Sequence, residues 1–442
     1  MAGAWSPAAP ERMPVAERFA LHLLIISTWY PRAENDVAGV YVRQQVRALA
    51  REGVQVGVIH PRLHSLRDWR FGISGRRDIA ESAAPDLPVM VAAAAKPSAR
   101  AYPEVPVISD DAWAWLPGIP YGNIRLWVRL GLRLYRRYRA IHGQPDVIHS
   151  HCLLNAGVLA QRIQRRDGIP FVVTEHYSGY ALGRLKPTEL SAAAGAARAA
   201  SRRFAVSQAF AQQLRTSLGA EVGLWEEMPN TVDPAFLDHP LPARHAAREK
   251  TDSFCFAAVA LLTPNKRMDV LLRAFASAFR ADPRVRLDIG GDGSEREALQ
   301  AMVEELGLSD RVRFLGVLDR AQVLELIATA DALVLPSRYE TFGIVLIEAL
   351  ALGKPVIATR CGGPESIVRE QDGLLVPTDD VAALAQALRR LRLTAWRYDP
   401  HALRAGCRAR YGEPAVVSRL VDAYQRLLER TGAGPPPQQA HR

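Results

Sequence analysis

The feature that most restricts the fold is an alternation of short apolar runs with helix-like segments, repeated twice along the chain. From Leu21, "LHLLIIS" is followed by a loop, then "GVYVRQQVRALAREG", then "VQVGVIH". This reads as strand, helix, strand, with Gly53 placed to end the helix. The same order returns at "DVIHSH", "AGVLAQRIQRRDG" and "PFVVTEH". Such alternation predicts parallel sheets with helices on both faces.

The stretch from Pro229 to Asp252, "PNTVDPAFLDHPLPARHAAREKTD", is rich in Pro and charge and has no steady period, which marks a domain boundary. A second series follows, with strands expected at "SFCFAAVA", "VRLDIGG", "VRFLG", "ALVLPS" and "PVIATR". The fold class is therefore α/β, with two doubly wound Rossmann-like domains facing a central cleft, where ligands of such sheets gather. The expected division is a flexible lead-in over 1–18, an N-terminal domain over 19–236 and a linker over 237–252. A C-terminal domain that includes the final helices follows over 253–430, and a disordered tail over 431–442.

Composition narrows the class. No apolar run is long enough to span a bilayer. The first residues carry acids and no apolar core, so they do not read as a secretory signal. The four cysteines are scattered, with no CxxC pair, and suggest neither a metal site nor a disulfide framework; a reducing cytoplasm fits them. A net charge of +10 invites an anionic partner.

The chemistry centres on "RYETFGIVLIEALALGKPVIAT", Arg338 to Thr359, in which Glu340 and Glu348 bracket an apolar run. "ALVLPS" reads as a strand, "RYET" as a loop, and "FGIVLIEALALG" as a helix closed by Gly353. The helix start near Phe342, Gly343 and Ile344 would offer unpaired N–H groups and positive dipole charge, which suit a phosphate. Glu340 lies in the loop and Glu348 about two turns further. A carboxylate accepts two hydrogen bonds and can hold a sugar diol. Read alone, Glu340 is equally a helix cap and Glu348 a partner for a basic neighbour.

Three further stretches add to the pattern: "GGDGSEREALQAMVEELGLSDRVRFLGVL", "PNTVDPAF" and "LTPNKRMD". Together with "PSRYETFGIVLIEALALGKPVIAT", they resemble the retaining glycosyltransferase family 4, which has the GT-B fold and an E-x7-E motif. The resemblance covers roughly residues 20 to 430. It implies that Glu348 holds the ribose diol of a nucleotide-diphosphate sugar and that Glu340 lies near the transferred sugar. It also implies that the backbone at Phe342, Gly343 and Ile344 meets sugar and phosphate, and that Lys266 offsets the diphosphate charge. "NDVAGVYVRQQVRALAREG" is similar to the family's glycine loop, with Gly39 allowing close approach to the donor phosphates. His176, closing "FVVTEH", matches the family's active-site histidine; His151 is a candidate on the acceptor side, and His149 reads as structural. The family usually has an arginine five residues before the lysine, where this chain has Leu261; Arg338 and Arg267 are candidates to replace that cation. The chain has no D-x-D pair, and no metal or other cofactor is expected.

"RLWVRLGLRLYRRYR", Arg125 to Arg139, places Arg125, Arg129, Arg133 and Arg136 at helical spacing beside a row formed by Leu126, Leu130 and Leu134. Such a helix can lie on an anionic bilayer or present a solvated basic face. The expectation is a cytoplasmic glycosyltransferase, peripheral on the inner face of the membrane, that acts on a lipid-linked or saccharide acceptor in envelope polysaccharide or glycolipid assembly. Nucleic acid is not expected as a partner. A sugar-nucleotide epimerase of similar fold and a catalytically weak sugar-nucleotide-binding protein are the alternatives.

Overall fold

The structure, a computed structural model, describes residues 21–31, 39–65, 104–114, 122–241 and 253–431. The expected lead-in over 1–18, the tail beyond Thr431 and the linker beyond Leu241 lie outside the described residues.

The N-terminal sheet has seven strands: β1 (His22–Ser27), β2 (Gln55–Ser65), β3 (Val107–Ala114), β4 (Val147–His151), β5 (Phe171–Glu175), β6 (Arg202–Ala205) and β7 (Glu226–Glu227). Their order is β3-β2-β1-β4-β5-β6-β7, every pair parallel. β1, β4 and β5 are buried along their whole length, as continuous apolar runs in a covered parallel sheet should be. Helices α1 (Val40–Arg51), α2 (Gly122–His142), α3 (Val158–Asp167), α4 (Pro187–Ala199) and α5 (Gln208–Leu218) accompany the strands. A short helix, α6 (Pro234–Asp238), opens the crossing to the second domain, with Asp233 capping it through the Ala235 N–H.

The second sheet has six strands: β8 (Phe254–Val259), β9 (Val285–Gly290), β10 (Val312–Gly316), β11 (Ala332–Leu335), β12 (Val356–Thr359) and β13 (Gly373–Val376). Their order is β10-β9-β8-β11-β12-β13, again all parallel. The helices here are α7 (Met268–Phe279), α8 (Arg296–Glu305), α9 (Arg320–Thr329), α10 (Ile344–Ala351), α11 (Gly363–Ile367), α12 (Val381–Thr394) and α13 (Pro400–Tyr411). Both sheets reverse strand order at one point, β1/β4 in the first and β8/β11 in the second, and a doubly wound sheet binds its ligands at such a point.

The last helix, α14 (Glu413–Thr431), corrects the expected division. It does not stay with the C-terminal domain. Val416, Val417, Leu420, Val421, Ala423 and Tyr424 pack with Leu23, Ile25, Val46 and Val172 of the N-terminal sheet and its helix α1. Arg51 on α1 pairs with Glu413. By contrast α13 stays on the second domain, where Arg404 Nε donates to Ala351 O at 2.7 Å. An amphipathic pattern shows that a helix has an apolar face but not which domain covers it.

Candidate active site

The C-terminal half of the site grows from the loops that follow β8 and β11, neighbours at the switch point. The first carries Lys266 at the end of a 3-10 turn, Pro264–Lys266. The second carries Ser337, Arg338 and Glu340. Asn265 Nδ2 donates to Tyr339 O at 3.0 Å and Arg338 N donates to Asn265 O at 2.8 Å, which holds the loops together. Lys266 Nζ lies 2.6 Å from Glu340 Oε1, and Ser337 Oγ donates to the same oxygen at 2.6 Å. Two residues assigned separately from sequence thus form one ion pair.

Helix α10 begins at Ile344, with Gly343 before it at φ +99°, a backbone region that favours glycine. The start falls where the sequence placed it, near Phe342, Gly343 and Ile344, and Glu340 lies in the loop before it. Glu348 lies one turn inside the helix, about 6 Å from its start. Among the described residues, nothing accepts from the backbone N–H groups of Gly343, Ile344 and Val345. Open donors at a helix start suit a phosphate. The Phe342 ring is turned inward, 2% exposed, with its centroid 5.8 Å from that of Tyr411.

Glu348 is 3% exposed and is held by a partner absent from the sequence reading. Arg320 Nη1, at the start of α9, donates to Glu348 Oε1 at 2.6 Å. Arg320 Nη2 lies 3.4 Å from Asp233 Oδ2, and Gln44 Nε2 on α1 donates to that oxygen at 2.8 Å. The two arginines considered as replacements for the cation missing at Leu261 are both engaged: Asp379 accepts from Arg267 Nε at 2.5 Å and from Arg338 Nε at 2.9 Å.

The N-terminal half gathers at the ends of β4 and β5. His149, His151 and His176 form a row: the first two rings stack with centroids 4.4 Å apart, and His151 Nδ1 lies 3.0 Å from His176 Nε2. Burial holds all three below the usual histidine value, His151 down to about 3. They are neutral at pH 7. His149 is anchored on both sides, 2.6 Å from the Tyr424 hydroxyl and 2.8 Å from the Thr174 hydroxyl, in keeping with its structural reading. His151 is 2% exposed and backs His176, the odd positions of β4 turning to one face, and its Nε2 has no partner among the described residues. His176 is half-buried, with the Tyr41 ring 4.3 Å from its own, and its Nδ1 has no partner among the described residues.

Glu175 organises this end. Its buried carboxylate accepts from the backbone N–H groups of Leu153, His176 and Tyr177 at 2.8, 2.8 and 2.9 Å. Burial pushes its pKa up, against the pull of those three donors. Glu175 pairs with Ala205 across the sheet, so His176 stands level with Val206. One residue on, Ser207 Oγ donates to Thr341 O at 2.7 Å. The strand end that carries His176 therefore faces the loop that carries Glu340.

Gly39 precedes α1 at φ +75°, and a Cβ there would overlap the Trp29 carbonyl. The close approach that requires glycine is to the chain itself. Residues 32–38 of the glycine-loop motif lie outside the described residues. On α2 the arginines Arg125, Arg129, Arg133 and Arg136 are exposed as expected, with Arg133 reaching Asp110 on β3 at 2.5 Å. The leucine row, however, is used by the fold: Leu130 and Leu134 are buried and Leu126 packs against the same core. The exposed side of α2 is therefore its basic face. No helix among the described residues is long and apolar enough to cross a membrane, and none of their His, Cys, Asp and Glu residues form a group of three suited to a metal ion.

Arg320, Asp233, Gln44, Ser337 and Glu175 were missed. Asp233 did carry a signal, an Asp immediately before a Pro at a helix start, but it was read as part of a boundary. Arg320 and Gln44 are brought in over long sequence separations, whereas Ser337 and Glu175 sit beside Glu340 and His176 in motifs already singled out.

Residues 38–236 match the family described as Glycosyltransferase Family 4, and residues 242–397 match Glycosyl transferases group 1. A D-inositol 3-phosphate glycosyltransferase of Frankia alni is 32% identical over 311 residues, covering 65% of this chain and 75% of the relative. One from Saccharomonospora viridis is 33% identical over 275 residues, 57% of this chain and 63% of the relative. The glycogen synthase of Mycobacterium tuberculosis is 28% identical over 383 residues, covering 84% and 85%. Among solved structures, sucrose-phosphate synthase from Thermosynechococcus elongatus superposes with a TM-score of 0.68 at 23% identity, over 92% of this chain and all of that one. Anabaena Alr3699/HepE, solved in complex with UDP, gives 0.65 at 18% identity, also over 92% of this chain and all of that one. The chain belongs to the glycosyltransferases, with a family 4 N-terminal half, a group 1 C-terminal half and the GT-B fold.

Proposed function

We propose that this glycosyltransferase is a retaining, metal-independent enzyme that moves a sugar from a nucleotide-diphosphate sugar to an acceptor hydroxyl. The observation that carries the reading is the Lys266–Glu340 pair set beside the open amides of Gly343, Ile344 and Val345. A cation and three open N–H donors suit a diphosphate leaving group, and fixed donors aimed at developing charge need no reorganisation during reaction. Glu348 takes the ribose, and His176, neutral and half-buried, faces the transferred sugar. The bond from the anomeric carbon to the diphosphate oxygen breaks, and a bond to the acceptor oxygen forms on the same face. The acceptor's proton passes to the departing phosphate oxygen. Closure of the two domains would exclude water and limit hydrolysis.

UDP, held by Anabaena Alr3699/HepE, makes UDP-glucose the first donor to test. A lipid-linked or saccharide acceptor, in envelope polysaccharide or glycolipid assembly, and a cytoplasmic site against an anionic membrane surface complete the reading, the last resting on the exposed arginines of α2. The test is proton NMR of the first sugar released from UDP-, GDP- and ADP-glucose in EDTA, with wild type and His176→Ala. Retention predicts the α-anomer first and a slower, folded variant. Release of the β-anomer, or activity only with added divalent metal, would refute it. A second reading, a sugar-nucleotide-binding protein with weak turnover, draws on Leu261 and on the engagement of Arg267 and Arg338 by Asp379. Binding of donor without any cleavage would favour it.

A further inference from the structure

We propose that Arg320 is the positioning residue for the ribose end of the donor: it fixes the Glu348 carboxylate in the orientation that accepts from the ribose hydroxyls. The inference rests on the nucleotide-sugar reading and adds a residue that lies outside every motif of the chain.

Glu348 is 3% exposed, within a helix whose residues from Leu346 to Ala351 are all buried. A buried carboxylate is stabilised by a cation and good hydrogen bonds. Arg320 supplies both, at 2.6 Å, and engages only Oε1. Among the described residues, nothing donates to Oε2. One oxygen is fixed and the other is left for a ligand.

Arg320 is itself held in place. Asp233 lies 3.4 Å from Nη2, and the guanidinium carbon sits 4.8 Å from the centre of the Phe236 ring, which is 1% exposed. A planar cation stacked on a ring and tied at one end to an acid is pre-organised for the acid at its other end. Asp233 in turn takes Gln44 of α1, so the chain Gln44, Asp233, Arg320, Glu348 runs from the helix behind Gly39 to the ribose acid. Glu348 is thus oriented from both domains.

The alternative role, a competitor that occupies Glu348 until donor displaces it, predicts the opposite outcome in the same experiment. Titration calorimetry would compare UDP with 2′-deoxy- and 3′-deoxy-UDP, and GDP and ADP with their deoxy counterparts, on full-length wild type and on Arg320→Met. A hydrogen bond to a charged group supports a preference of about tenfold or more for the ribonucleotide. The proposal predicts that preference in wild type, its fall below about threefold in Arg320→Met, and partial recovery in Arg320→Lys, which keeps the charge. An unchanged ratio in Arg320→Met, even with weaker binding overall, would leave Arg320 a structural residue. A ratio that rises would make it the competitor. Either result overturns the proposal. Should Arg320→Met fail to fold by circular dichroism, Arg320→Gln is judged by the same ratios. If wild type binds none of the three diphosphates, the nucleotide-sugar reading itself falls, a result distinct from binding without discrimination.

Discussion

The buried histidine row makes the fold acid-sensitive in a way that can be worked out. In the unfolded chain an imidazole titrates near its ordinary value of 6.5, whereas burial in the folded protein brings His151 down to about 3. Between those values the unfolded state binds a proton that the folded state refuses. The contribution is therefore fully present above 6.5 and is lost as pH falls toward 3. From pH 7 to pH 5, His151 alone removes about 2 kcal/mol. His149 and His176 are also held below 6.5 and act in the same direction. Glu175, raised by burial, acts in the opposite direction, since its folded form gains a proton more readily than its unfolded form. The comparison that isolates His151 is wild type against His151→Asn, whose side-chain amide can keep a hydrogen bond to His176 without titrating. Urea unfolding at pH 7 and pH 5 should show a loss in wild type larger by about 2 kcal/mol than in the variant. Equal losses in the two proteins would refute the assignment of His151 as a neutral, buried group.

Three other outcomes are expected. Lys266→Met, which leaves the diphosphate without its cation, should lower kcat with a competent donor by on the order of 100- to 1000-fold, and a change under threefold would contradict the role. Replacing Arg129 and Arg133 together with Ala should weaken co-sedimentation with phosphatidylserine vesicles by roughly thirtyfold at low salt, at about 1 kcal/mol per charge, and equal binding would assign the α2 face to solvent. Tyr424→Phe leaves His149 Nδ1 without its partner in a buried site and should cost about 1–3 kcal/mol in urea unfolding, whereas a neutral effect would mean that the hydroxyl does not anchor the row.

Much of the fold was legible in the sequence because buried parallel strands are written as continuous apolar runs. "LHLLIIS", "FVVTE" and "ALVL" fall where β1, β5 and β11 lie. The edge strands β3 and β7 lack that signature: β3 alternates between exposed and half-buried residues, and β7 is two glutamates. The docking of α14 on the first domain was not legible, since an apolar face does not name its partner. The same limit applies to the site. Glu340, Glu348, Lys266 and the helix start at Gly343 lie in short motifs with a local physical meaning. Arg320 reaches Glu348 across 28 positions, and Gln44 reaches Asp233 across 189, through tertiary packing alone.

The central claim is that the paired acids and open amides of the second domain cradle an activated sugar. Its most direct measurement is the binding of UDP-, GDP- and ADP-glucose to wild type and Glu348→Ala by calorimetry. The account predicts that at least one donor binds wild type without added metal and binds the variant about tenfold or more weakly. Equal affinity in the two proteins, or no binding of any donor to wild type, would contradict it.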